Sequence, residues 1–249
     1  MTNKIIIFTD LHYGQNIENK ADKKGTNTHG NTRNLLEKLN GKIGKIVPGA
    51  VIDLGDFVFG SSLKEKEARY KEVREILSNA KNNIFHLIGN HELYLTSADD
   101  IEKFVGQKMR TTFELGGYKH IITDIEKKEF LQISKATFAW LEDELKKSQL
   151  PCIVYGHCPI SQKEENLTYY HKNNPERAFL SNSQQVRELL EKYNCKFYIS
   201  GHTHFEYRTK INGLNHVTIP SFSEDQNGNP SGKFAVFNLD TLDLEIHKV

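Results

Sequence analysis

The chain has 249 residues, 37% of them hydrophobic and 26% charged, and a formal net charge of +1. A chain of this length can bury roughly 70 to 75% of the surface its unfolded form exposes, so it needs no disulfide or oligomeric staple. The near-neutral balance excludes the large single-sign field that binds duplex nucleic acid or acidic membranes by charge alone.

The first apolar run, residues 5–8, is rich in β-branched side chains and predicts a strand. It is too short for a signal segment or a membrane span. Leu35, Leu36 and Leu39 recur at helical spacing and predict a helix over residues 31–39, followed by a strand at 49–54. Residues 64–79 carry Tyr70, Val73, Ile76 and Leu77 on one stripe amid charges, as a surface helix should. A third strand is expected at 84–88, and a hairpin over 113–125 around Gly116 and Gly117. A helix at 134–147 packs Phe138, Leu141 and Leu145, and a strand follows at 152–155.

Residues 159–180 show no clear period, and loops of that length are usually functional. A helix at 183–193 and a strand at 196–199 come next. Asn212-Gly213 joins strands 206–211 and 214–219 as a type I′ hairpin, and strands at 234–238 and 242–247 close the pattern. Strands feeding helices in this way mark a layered α/β protein, read as one domain over residues 1–249. Cys152, Cys158 and Cys195 form no CxxC pair and are expected as buried, reduced thiols in a soluble, cytoplasmic protein. The oligomeric state stays open.

Five apolar strands end abruptly in Asp, Asn or His, often beside Gly. They are Asp10-Leu11-His12, Gly55-Asp56, Gly89-Asn90-His91-Glu92, Gly156-His157 and Gly201-His202-Thr203-His204. In open α/β sheets ligands bind beyond the carboxyl ends of the strands, so all five clusters are delivered to one edge. Imidazole with carboxylate and carbonyl oxygen, without cysteine, suits Mn, Fe, Zn or Ni better than a closed structural zinc site. Seven donors are too many for one ion, whereas two ions at about 3.5 to 4 Å sharing a carboxylate would use them all.

In this order the five motifs resemble those of the calcineurin-like metallophosphoesterase superfamily, over nearly the whole chain. The resemblance implies a four-layer α/β/β/α sandwich, two mixed β-sheets flanked by helices, around a dinuclear centre. It implies that Asp10, His12 and His204 hold one metal, that Asn90, His157 and His202 hold the other, and that Asp56 bridges them. It makes His91 catalytic, protonating the leaving oxygen or stabilising phosphoryl charge while hydroxide generated at the ions attacks phosphorus.

Glu92 either orients His91 or is an acidic residue at a helix start. The sequence departs from the common Gly-Asp-x-x-Asp at Gly55-Asp56-Phe57-Val58-Phe59, which leaves the metal set intact. Asp53 receives no role. His29, His86, His120, His216 and His247 are read as structural and without partners. His171, with Tyr169, Tyr170, Lys172 and Arg177 in the 159–180 stretch, either helps to recognise a base or second phosphate or lies on a solvated loop.

The reaction expected is hydrolysis of a small phosphomonoester, phosphodiester or nucleotide pyrophosphate. A nuclease with the same centre is the alternative, since Lys172, Arg177 and the tyrosines offer a modest basic and stacking surface. A silent scaffold is disfavoured because all seven ligand positions and His91 are present. Protein phosphatase activity is disfavoured because no additional arginines flank Gly55-Asp56 or Asn90-His91.

Overall fold

The computed structural model describes residues 2–15, 28–80, 83–161, 167, 169–225 and 229–249. Strand β1 (Thr2–Phe8) is followed by helix α1 (Thr28–Ile46), β2 (Pro48–Asp53), α2 (Leu63–Ile76), β3 (Ile84–His86) and α3 (Ala98–Val105). Next come β4 (Thr111–Leu115), β5 (Tyr118–Ile122), the short pair β6 (Glu126–Lys127) and β7 (Leu131–Gln132), α4 (Lys135–Lys147), β8 (Cys152–Tyr155), α5 (Tyr169–Asn173) and α6 (Ser183–Lys192). The remaining strands are β9 (Cys195–Ser200), β10 (Tyr207–Ile211), β11 (Leu214–Thr218), β12 (Lys233–Asn238) and β13 (Asp243–Lys248).

Two mixed sheets result, one in the order β13-β12-β1-β2-β3 and one in the order β10-β11-β9-β8-β5-β4. Within the first, β1, β2 and β3 run parallel, and within the second β5, β8, β9 and β11 do. A parallel strand buried on both faces reads as a continuous apolar run, because each face packs on a different layer. Strand β1 shows this directly. Ile5 and Ile7 join Ile52, Ile153 and Ile199 in the apolar layer shared by the two sheets, while Ile6 and Phe8 join Leu36, Leu39 and Val73 on the helix side. The four-layer sandwich implied by the motifs is therefore the architecture observed. No helix among the described residues is long and apolar enough to cross a membrane.

Helix α1 runs past both ends of the expected 31–39 stretch, because Ile43 and Ile46 continue its apolar stripe. Helix α3 was not anticipated, although Ser97 and Asp100 form a capping box that announces its start. Helix α5 occupies part of the stretch expected to be irregular. The hairpin turn at Asn212 and Gly213 has φ of 49° and 88°, the left-handed pair that a type I′ turn requires.

Three of the histidines expected to lack partners have them, whereas both ring nitrogens of the buried His216 make no hydrogen bond. His86 Nδ1 lies 3.1 Å from Asp53 Oδ2, and His247 Nε2 lies 3.4 Å from Glu245. His120 is held most completely: its Nε2 donates to the Leu115 carbonyl at 3.1 Å, its Nδ1 accepts from the Tyr155 hydroxyl at 3.0 Å, and its ring stacks on Phe113. His29 lies where side chains fall outside the described residues.

Burial pushes the His120 imidazole down to about 4, below the ordinary value of about 6.5. The unfolded chain therefore takes up this proton first as pH falls. The stability His120 contributes is fully present above about pH 6.5 and is lost as pH drops toward 4. A His120→Phe variant, which keeps the stacking, should show a flatter fall in stability over that window in urea denaturation. An unchanged slope would contradict the assignment.

Candidate metal centre

The parallel strands point their carboxyl ends to one edge of each sheet, and the two edges meet. From β1 come Asp10 and His12, from the turn after β2 comes Asp56, and from the turn after β3 comes Asn90. The second sheet supplies His157 after β8 and His202 and His204 after β9. All seven residues named from the sequence are thereby gathered in one place. Backbone geometry aims them: Asp10, His12, Asp56, His202 and His204 have φ of 53°, 47°, 54°, 70° and 63°. The left-handed region disfavours residues with a Cβ by about 1 to 3 kcal/mol each and persists only where neighbours over-determine it.

Hydrogen bonds between the loops do so. Asp10 N donates to Gly55 O at 3.0 Å and His12 N to Asp56 O at 2.8 Å. Asp10 Oδ2 accepts from Thr9 Oγ1 at 2.7 Å and from His202 N at 2.9 Å, which ties the two sheets together. Gly55 sits at φ 103°, and a Cβ there would lie 2.6 Å from Gly89 N and 2.9 Å from His157 Nδ1. Gly89 approaches Asp56 so closely that any side chain would overlap the Asp56 carboxylate.

The donor atoms fall into two sets. In one, His204 Nε2 lies 3.3 Å from Asp10 Oδ1 and 3.4 Å from His12 Nε2. In the other, His157 Nε2 lies 3.2 Å from Asn90 Oδ1 and 3.1 Å from His202 Nδ1. Asp56 Oδ2 stands between them, 3.9 Å from His12 Nε2 and 3.6 Å from His157 Nε2. Donors about 2.0 to 2.2 Å from a common ion lie about 3 to 3.5 Å from one another, so the spacings within each set suit one ion apiece, and Asp56 faces both sets at a slightly wider distance.

The tautomers fit as well. His157 Nδ1 donates to Leu54 O at 2.8 Å and His202 Nε2 to Arg177 O at 2.8 Å, leaving a lone pair on the opposite nitrogen of each ring. Burial would raise the Asp10 carboxyl, but His204, with His157 and His12, holds it far below the carboxylate range, so it remains an anion. Cys158 lies within the same cluster as His157 and His202. Burial, reinforced by Asp56 and Asp10, pushes its thiol well up and keeps it a poor ligand.

Like His204, His91 is part-exposed. Its side chain is 22% exposed, against 0% for His157. Its Nε2 lies 3.9 Å from Asp56 Oδ2, its ring meets His12 edge-on, and its backbone N–H donates to Asp56 Oδ1 at 2.8 Å.

Glu92 neither turns toward that imidazole nor starts a helix. It is fully buried, and its carboxylate accepts from the backbone N–H groups of Asp56, Phe57, Val58 and Gly89 at 2.7 to 3.3 Å. Burial, then the charges of Asp56 and Asp53, push its carboxyl up, and His157 and the Gly89 N–H oppose the rise. Asp53, to which the sequence assigned no role, accepts from Gly55 N at 3.1 Å and faces His86, which burial holds neutral down to about pH 3.

Sequence reasoning missed Lys66. Though 1% exposed, it sends its ammonium to the carbonyls of His91, Glu92 and Tyr94, closing the loop that carries His91. A lysine amid the charges of α2 reads as solvated, and no local signal marked it otherwise. His171 is not on a solvated loop: it is buried with its ring 4.9 Å from that of His202, and burial, then His204, lowers it to about 4. The side chains of Tyr169 and Tyr170 lie outside the described residues.

Comparison with known proteins bears on family and fold. The family model described as "Calcineurin-like phosphoesterase" matches residues 3–206. No curated protein matches the chain. Among solved structures, a dimetal phosphatase from Danio rerio has a TM-score of 0.71 at 15% identity, covering 94% of this chain and 91% of that one. The phosphopantetheinyl hydrolase of Mycobacterium tuberculosis gives 0.55 at 12% identity, with 88% and 89% covered. GAP50, the anchor in the inner membrane complex of Plasmodium, gives 0.60 at 13% identity, with 99% and 88% covered. At such identities the likeness shows the fold alone.

Gly55→Ala should displace His157 and the 89–92 turn, weakening Mn²⁺ binding about 10- to 100-fold when titrated calorimetrically. Unchanged affinity would show that the close packing of these turns does not set the donor positions.

Proposed function

The chain belongs to the calcineurin-like phosphoesterase family, a family of phosphoric ester hydrolases, and from that premise we propose that it hydrolyses a small phosphorylated substrate at two first-row transition-metal ions. The observation that carries this reading is Asp56 Oδ2 standing between two sets of imidazole, carboxylate and amide donors. Asp10, His12 and His204 would hold one ion, Asn90, His157 and His202 the other, and Asp56 both. Bound there, Mn, Fe, Zn or Ni would supply Lewis acidity and make hydroxide available near neutral pH.

The protein's own groups do the rest. Asp10 and Asp56 bring negative charge into a buried site that favours cations over water alone. Leu54 O and Arg177 O hold His157 and His202 in the ligating tautomer. His91, part-exposed and tied to Asp56 through its backbone N–H, offers Nε2 at the mouth of the cluster. That atom would deliver a proton to the leaving oxygen as the phosphorus–oxygen bond breaks, an interaction that matters most when the leaving group is a poor one. The three free cysteines, all buried, suit a reducing, cytoplasmic setting.

A metal-supplemented screen over monoesters, diesters and pyrophosphates, at low and high salt, identifies the substrate class. A steep loss of activity with salt would point instead to nucleic acid. His91→Ala should keep its metals, as read by elemental analysis, yet lose about 10²- to 10⁴-fold in kcat on esters with poor leaving groups. Normal turnover on those esters would refute the role given to His91.

A further inference from the structure

Among the described residues the exposed large hydrophobic side chains are Val47, Phe59, Leu63, Tyr94 and Leu95. Val47 precedes β2, away from the site, whereas Phe59 and Leu63 lie on the segment leading into α2 and Tyr94 and Leu95 on the segment that follows His91. The Phe59 ring is centred 6.2 Å and the Tyr94 ring 5.6 Å from the His91 ring. Exposed apolar groups gathered at one place mark a binding surface, whereas single ones scattered over a protein need no explanation.

The backbones bearing these rings are fixed from beneath. Phe59 N donates to Tyr13 O at 2.9 Å, and Phe59 O accepts from Arg69, itself paired with Glu65. Tyr94 O accepts from the buried ammonium of Lys66, which also bonds His91 O at 2.8 Å and Glu92 O at 3.2 Å. Lys66 and Arg69 are one turn apart on α2, so one helix grips both segments. Leu95 is 64% exposed and at φ 69°, a strained conformation held without any gain in burial. Lys127 Nζ sits 4.0 Å above the Tyr94 ring and restrains it as a cation–π partner. The rings are thus exposed but not loose, which is the condition for binding a partner at low entropic cost.

We propose that Phe59 and Tyr94 form a leaving-group subsite for a planar aromatic ring, so that the preferred substrates are phosphate esters of aryl or nucleobase-bearing alcohols. This rests on the reading that His91 protonates the leaving oxygen, because the group bearing that oxygen must then lie beside His91, within reach of both rings. Ring-on-ring contact of offset or edge-to-face kind supplies the recognition.

The test uses the metal-loaded enzyme with phenyl phosphate and a fluorinated alkyl phosphate whose alcohol has matched acidity, so that chemistry alone does not separate them. Phe59→Leu and Tyr94→Leu keep apolar bulk and remove the ring, which limits damage to folding. Each variant should lose about 10-fold in kcat/KM on the aryl ester, mainly through KM, and change by less than about 2-fold on the alkyl ester. Tyr94→Phe should restore the aryl activity. Equal losses on both esters, or no preference for the aryl ester in the unaltered enzyme, would overturn the subsite while leaving the hydrolase reading standing. Absence of turnover on both esters would remove that reading and the subsite with it.

Discussion

Five of the seven candidate ligands hold their backbones in the left-handed region, and everything else at the site follows from what makes that conformation tolerable. A strand that ended in a relaxed turn would carry its last side chain onward along the sheet. The left-handed residue instead turns the chain abruptly, which points the side chains of Asp10, Asp56 and His202 across the edge toward one another. At about 1 to 3 kcal/mol each, the combined strain is comparable with the net stability of an ordinary domain. It persists because each strained turn lends its backbone groups to the next: Asp10 N to Gly55 O, His12 N to Asp56 O, and His202 N to the Asp10 carboxylate.

Beneath this layer lies a second one made of buried charge. Glu92 gathers four backbone N–H groups from the turns after β2 and β3, and Lys66 gathers three carbonyls from the loop that follows. Each is costly to bury alone, and each is compensated by the dipoles it organises and by the opposite charge nearby. Burial lowers the Lys66 ammonium, and Glu92 and Asp56 pull it back up. Scaffold and site are therefore not separable parts. The same hydrogen bonds that hold the turns in their strained form also place the donors, and removing either charge should disturb both.

Much of this was legible in the sequence because the ligands sit in strand-end motifs whose residue types have few other reasons to co-occur. The order of Asp10-Leu11-His12, Gly55-Asp56, Asn90-His91, Gly156-His157 and His202-Thr203-His204 resembles one family, and the family model and the sheet order agree with that resemblance. The supports were harder to read. Lys66 resembles the exposed lysines around it on α2, and only tertiary packing reveals it as buried. Glu92 was placed beside His91 by adjacency, yet its side chain runs the other way, into the turns below. Phe59 stands where the common pattern has aspartate, a change that left the ligand set intact and that the structure resolves into an exposed ring beside His91. His171 lacked any periodic context, and burial against His202 is a contact between segments distant in the chain.

The account depends on two neighbouring donor sets joined by one carboxylate. Anomalous diffraction from crystals grown with Mn²⁺ tests it most directly, because the signal locates ions independently of any assumption about ligands. Two peaks are expected, one among Asp10, His12 and His204 and one among Asn90, His157 and His202, with the Asp56 carboxylate in contact with both. A single peak, or two peaks of which Asp56 touches only one, would contradict the shared centre on which the proposed chemistry rests.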